Sequence, residues 1–217
     1  MQSCPTFARN WQELLVLAGI PRRYHDADQL LYSPPAGLEK LYQKVWEFLE
    51  DLPVQVAQGR GLLLKGNVGT SKTTVAVGVA LQFLKLSCEP ELLDLWAKPR
   101  SAPVLFVTMA TLVENILSLK PSNPAEWARY EQRLRRVPLL ILDDLGAEQP
   151  DDWIHAKLDA LMAERYNNLR STLITTNLST DKLRDKYAER IIDRLRSCLQ
   201  QLDFGGKSLR TPPLPVS

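Results

Sequence analysis

The chain has 217 residues, 45% of them hydrophobic and 24% charged, with a formal net charge of +2. That suits one soluble globular domain with some length to spare. The small charge excludes a broad field pulling the molecule onto nucleic acid or an anionic membrane, and leaves only local patches. Cys4, Cys88 and Cys198 form no CxxC pair, so neither a zinc site nor a disulfide framework is expected. Reduced thiols in a cytoplasmic protein are expected instead. The opening MQSCPTFARNWQELL has no signal-peptide pattern, and no apolar run approaches the ~18 residues of a membrane span.

Trp11, Leu14, Leu15 and Leu17 predict a short helix within residues 1–18, an appendage to a main domain over 19–210. Pro21, Pro34, Pro35 and Gly37 make 21–37 a connecting loop. Leu38, Leu41, Val45, Phe48 and Leu49 predict an amphipathic helix over 38–50. Four short apolar runs follow: GLLLK (61–65), APVLFVTM (102–109), VPLLILDD (137–144) and STLITTN (171–177). Helical stretches separate them over 72–86, 109–119, 126–136 and 152–168. A helix over 179–197 opens on Ser179-Thr180-Asp181, which is good capping chemistry. LQQLDF (199–204) adds a last strand. Together these predict an α/β fold, a five-stranded parallel sheet covered by helices on both faces. The proline-containing stretch 87–103 is expected to be a surface insertion, and TPPLPVS (211–217) a disordered tail.

Between the first strand and its helix the chain reads Gly66-Asn67-Val68-Gly69-Thr70-Ser71-Lys72-Thr73-Thr74. The pattern G-x-x-x-x-G-K-[ST] puts backbone N–H groups and a helix N-terminus around a polyphosphate. Gly66 allows the tight exit from the strand, and Gly69 lets the backbone approach phosphate. Lys72 is expected to bridge β- and γ-phosphates, and the Thr73 hydroxyl to be a ligand for Mg²⁺. Ser71 stands where the pattern has glycine. Because the position opens a helix, helical φ/ψ is expected there. A turn with a chance lysine is the plainer alternative.

LLILDDLGAE (139–148) ends an apolar strand on two carboxylates. Asp143 is expected to hold Mg²⁺ opposite Thr73, and Asp144 to orient or deprotonate the attacking water. The competing reading is an acidic turn. Asn177, closing TLITTN, could bond the γ-phosphate or the water, or simply end the strand in an Asx-turn. Arg190 and Arg194 share one helix face. Either they pair with Glu189 and Asp193, or one reaches a neighbouring subunit's nucleotide. Leu183, Tyr187, Ile191 and Leu195 form a separate apolar stripe.

GNVGTSKTTVAVGVA, LLILDDLGAE, TLITTNLS and ERIIDRLRS, in that order and spacing, resemble the bacterial DnaC/DnaI helicase loaders. These are AAA+ ATPases akin to the initiator DnaA, and the IstB-type transposition helper ATPases look similar. GIPRRYHDADQL (19–30) is similar to the segment ahead of the family's phosphate loop. The resemblance implies a three-layer P-loop domain of AAA+ type without a separate helical lid, using ATP and Mg²⁺. It implies contact with a replicative helicase and single-stranded DNA, and assembly with further copies. Arg194 takes the arginine-finger position with Arg190 in reserve, and Asn177 the sensor position. Arg129, Arg133, Arg135 and Arg136, beside Trp127 and Tyr130, offer phosphate contact and base stacking. An ordinary charged helix explains them equally well. Ser71 raises the alternative of a nucleotide-dependent binding module with little turnover.

Overall fold

The computed structural model describes residues 11–89, 101–149 and 151–209. The tail 211–217 and the centre of the 87–103 stretch lie outside them. Five strands form one parallel sheet: β1 (Gly61–Gly66), β2 (Val104–Thr108), β3 (Leu139–Leu145), β4 (Ser171–Thr176) and β5 (Leu199–Phe204), in the order β2-β3-β4-β1-β5. Their residues alternate between two cores, as a period of two requires. Leu62, Leu64, Val104, Phe106, Leu139, Ile141, Leu173, Leu202 and Phe204 face one side. Leu63, Leu105, Val107, Leu140, Leu142, Ile174 and Leu199 face the other. Burial on both faces explains why β1, β2 and β3 carry nearly unbroken apolar runs, while β5, LQQLDF, leaves Gln200, Gln201 and Asp203 exposed.

The first face is covered by α1 (Trp11–Leu17), α2 (Glu39–Glu50), α3 (Leu52–Ala57) and α4 (Lys72–Leu86). Leu15 of α1 is fully buried in that core, and the Phe106 amide donates to the Ala18 carbonyl at 2.7 Å. Residues 21–37 hold two short 3₁₀ turns, Arg22–Tyr24 and Gln29–Tyr32, rather than an open loop. Ala27 and Leu31 press against Gly78 of α4. A Cβ at Gly78 would stand 2.8 Å from Leu31 Cγ, so no larger residue fits there.

The second face carries α5 (Met109–Glu114), α6 (Pro124–Arg136), α7 (Asp152–Asn167), α8 (Thr180–Lys186) and α9 (Glu189–Cys198). The helix expected over 109–119 ends at Glu114 and continues as a π turn, Asn115–Leu119. The helix expected over 179–197 is two helices. Tyr187 and Ala188 are extended, with ψ of 147° and 142°. The break lets Lys186 and Tyr187 reach the loop after β3. The apolar stripe Leu183, Tyr187, Ile191 and Leu195 is buried across both helices.

Arg165 of α7 is fully buried at the amino ends of the strands. It donates to Thr172 Oγ1 at 3.0 Å, to the carbonyls of Leu134 (2.7 Å) and Val137 (3.0 Å), and to the Ser171 carbonyl. Burial pushes its guanidinium down to about 9. The fork thus ties α7 to the ends of α6 and β4, with neutral acceptors in place of a carboxylate.

Candidate functional site

β1, β3 and β4 deliver their last residues to the carboxyl edge of the sheet, where ligands of open α/β sheets sit. At Gly66 the chain turns with φ 141°, and a Cβ would lie 2.2 Å from the Phe204 carbonyl oxygen, so only glycine fits between β1 and β5. Gly69 also has positive φ. The Thr70 hydroxyl donates to the Asn67 carbonyl at 2.8 Å and braces the loop. Lys72 Nζ lies within it, donating to the carbonyls of Gly66 (2.9 Å) and Asn67 (2.6 Å).

Ser71 differs from expectation. Its φ of 65° and ψ of 12° are left-handed, so the position demands the conformation that glycine adopts freely. The helical geometry starts only at Lys72. Ser71 Oγ is also buried without a well-formed hydrogen bond. The Tyr42 hydroxyl lies close enough to feel it, though burial is the larger influence and pushes the phenol up.

The Thr73 hydroxyl donates to Asp143 Oδ1 at 2.8 Å. The same oxygen accepts from Thr175 Oγ1 of β4 at 2.6 Å. Burial pushes the Asp143 carboxyl above its ordinary range, against the two threonine hydrogen bonds. β3 shifts register against β4 between Leu142 and Leu145, one extra residue on the β3 side. Asp144 sits in this bulge at φ 56°. The irregularity lets Asp144 be exposed while Asp143, its neighbour, is buried. Asp144 N donates to Thr175 Oγ1 at 2.9 Å, and Asn177 Nδ2 to Asp144 Oδ1 at 3.2 Å.

Val68, Gly69, Thr70, Ser71, Lys72, Thr73, Thr74, Asp143, Asp144 and Asn177 thus line one cavity of about 620 Å³. Gly66 and Asn67 form the loop's entry beside it. Arg23, Tyr24, Tyr42 and Leu209 line it too, unassigned from sequence. The only signal for the first two was the likeness of GIPRRYHDADQL to the segment before a phosphate loop. The chain after β5 lies against the loop, with Leu209 N donating to the Gly69 carbonyl at 2.8 Å and Asn67 Nδ2 to the Gly206 carbonyl at 2.9 Å. Thr175 was readable only as a polar residue in a buried strand.

A hydroxyl and a carboxylate in contact at the mouth of a phosphate cradle fit a hard divalent cation. Among the described residues, no cluster of three or more His, Cys, Asp or Glu could hold a metal by itself. The donor set therefore suits Mg²⁺, which takes its other ligands from substrate phosphate and water.

Arg190 and Arg194 stand elsewhere. Arg190 Nε and an Arg194 terminal nitrogen each lie 2.6 Å from an oxygen of Asp159 on α7. Neither lines the cavity, and the expected partners Glu189 and Asp193 are replaced by Asp159. The aromatic pair beside the basic stretch is also spoken for: Trp127 is buried in the second core, with Tyr130 packed against it at a ring distance of 5.8 Å. Arg133 donates to the Leu17 carbonyl, and Arg135 pairs with Glu131 (2.8 Å) and Glu164. Stacking of bases on Trp127 and Tyr130 is thereby overturned. Only Arg129 and Arg136 of that stretch remain exposed.

This sheet order with a phosphate cradle defines a P-loop domain of the AAA+ class. Solved structures share the fold. The DnaC helicase loader superposes with a TM-score of 0.66 at 24% identity, covering 84% of this chain and 99% of that one. Domain III of the replication initiation protein DnaA from Thermotoga maritima gives 0.61 at 16% identity, covering 82% and 67%. A family model described as IstB-like ATP binding protein matches residues 43–212, and the chain belongs to that family. The replicative helicase loader DnaI of Bacillus subtilis is 24% identical over 85% of this chain and 58% of its own length. A putative insertion sequence ATP-binding protein of Sinorhizobium fredii, y4pL, is 32% identical over 49% of this chain and 44% of its own. The chain thus spans less than two thirds of these curated relatives. The kinship to DnaC/DnaI loaders and IstB-type proteins expected from sequence is borne out.

Proposed function

We propose that this protein binds ATP in the 66–74 loop, hydrolyses it slowly, and acts in DNA replication as a loader of the replicative helicase. The observation that carries the chemistry is the Thr73–Asp143 contact at the cavity mouth, with Asp144 and Asn177 beside it. In this reading the loop amides and Lys72 hold the phosphates. Lys72 exchanges the Gly66 and Asn67 carbonyls for phosphate oxygens. Thr73 and Asp143 hold Mg²⁺, which supplies charge neutralisation of the phosphates when bound. Asp144 orients the attacking water, and Asn177 holds the Asp144 carboxylate and the water in place. Arg194, with Arg190 beside it, acts on a neighbouring copy's nucleotide after leaving Asp159.

Helicase loading is supported by the DnaI relative, which aligns over most of this chain. A second reading, a transposition helper, is favoured by the matching family model and by the insertion-sequence relative. Capture from lysate with a non-hydrolysable ATP analogue separates them. Recovery of a replicative helicase is expected, and recovery of a transposase instead would establish the second reading. Single-stranded DNA is a proposed further partner. Among the described residues no helix is long and apolar enough to cross a membrane, and a replication role places the protein in the cytoplasm.

A further inference from the structure

Glu148 lies on the loop leaving β3, four residues past Asp144, and its side chain is 1% exposed. Its Oε2 accepts from the Gly146 amide at 3.0 Å. Its Oε1 accepts from the Tyr187 hydroxyl and pairs with Lys186 Nζ at 3.2 Å. Lys186 Nζ also donates to the Gly146 carbonyl at 2.8 Å and to the Glu148 carbonyl. His155 of α7 packs its ring edge-on to Tyr187 at 5.1 Å, with Nε2 3.6 Å from Glu148 Oε1. One helical turn beyond His155 stands Asp159, which holds Arg190 and Arg194. The Glu148 cluster and the Asp159–arginine cluster therefore lie one helical turn apart along α7, and both bear on α9 or the residue that leads into it. Replacing such a buried charged cluster by apolar packing often leaves a fold as stable or more so. What the charges add here is a fixed geometry at the start of α9. The break between α8 and α9 falls at Tyr187 and Ala188, beside this cluster.

We propose that Glu148 is a positioning residue for Arg194. It fixes the start of α9 against the loop that leaves Asp144, and so sets where the guanidinium stands when a second copy of this chain presents its nucleotide. The inference rests on the proposed role of Arg194 in trans. Glu148 itself does not line the cavity. Burial, and then the Glu148 carboxylate, push the Tyr187 hydroxyl far above its usual range, so it remains the donor in this contact.

The test is a double-mutant cycle on ATP turnover. Glu148→Gln and Tyr187→Phe are made alone and with Arg194→Ala. Lys72→Ala serves as the reference for loss of nucleotide. Nucleotide affinity and turnover per chain are measured across chain concentration. Both single variants are expected to bind ATP like the wild type. Each should lose turnover on the order of 10-fold or more, as small misplacements do, and its rise with chain concentration should flatten. Added to Arg194→Ala, neither should cost anything further. Tyr187→Phe keeps the ring on His155, so the test survives if Glu148→Gln does not fold. Losses that multiply with that of Arg194→Ala, or full turnover in the single variants, overturn the proposal. If Arg194→Ala turns over normally while Lys72→Ala is dead, the trans arginine itself fails and the positioning role falls with it.

Discussion

Ser71 and Asp143 each carry a local cost to the fold at the rim of the cavity. Ser71 holds a left-handed backbone that glycine adopts freely. Ser71→Gly removes that cost. It should stabilise the protein by roughly 1 kcal/mol, read as a melting temperature higher by about 2–4 °C. An unchanged or lower midpoint would mean that the strain is absorbed elsewhere. Asp143 is held above its ordinary value by burial, so its ionised form is disfavoured in the folded state. A group raised in this way contributes stability below its unfolded value, near 3.8, and loses it as pH rises through the folded one. Asp143→Asn should therefore melt above the wild type at pH 7 and level with it in acid, while Mg²⁺-dependent turnover falls by about 100-fold or more. Thermal scans across pH read the first effect and phosphate release the second. Coincident stability curves at neutral pH would contradict the assigned cost.

At the scale of elements, α6 shows how a sequence pattern can be read twice. A basic helix with two aromatics can offer bases a stacking platform, or can pack its aromatics inward. The structure takes the second course, because Trp127 falls on the same face as the buried Leu134 and opposite the exposed arginines. Trp127→Ala should thus act as a core truncation, costing about 3–5 kcal/mol in denaturant unfolding. A variant that stays fully stable but loses single-stranded DNA binding would restore the stacking role. β1 to β4 were legible because their apolar residues serve both cores and turn-formers or polar residues bound them. The division of α8 from α9 was not. KLRDKYAER carries neither Pro nor Gly, and the break falls where Tyr187 meets the distant Glu148. The bulge that sorts Asp143 from Asp144 is likewise a product of pairing with β4, which no local pattern announces.

For the molecule as a whole, one short motif and one acidic strand end located the cavity from sequence, since phosphate chemistry constrains residue types at fixed spacing. The walls formed by Arg23, Tyr24, Tyr42 and Leu209 come from segments far apart in the chain, and only folding assembles them. Arg190 and Arg194 were singled out by type and spacing, yet their resting partner Asp159 belongs to a different helix. Their proposed task lies outside a single copy, so the nucleotide site is the part of the account that one chain can answer for. The most direct measurement is calorimetric titration of ATP into the protein with and without Mg²⁺, repeated on Lys72→Ala with its folding checked by melting. Saturable binding that strengthens with Mg²⁺ and vanishes in the folded variant is predicted. Equal affinity in the two proteins would contradict the assignment of the triphosphate to this loop.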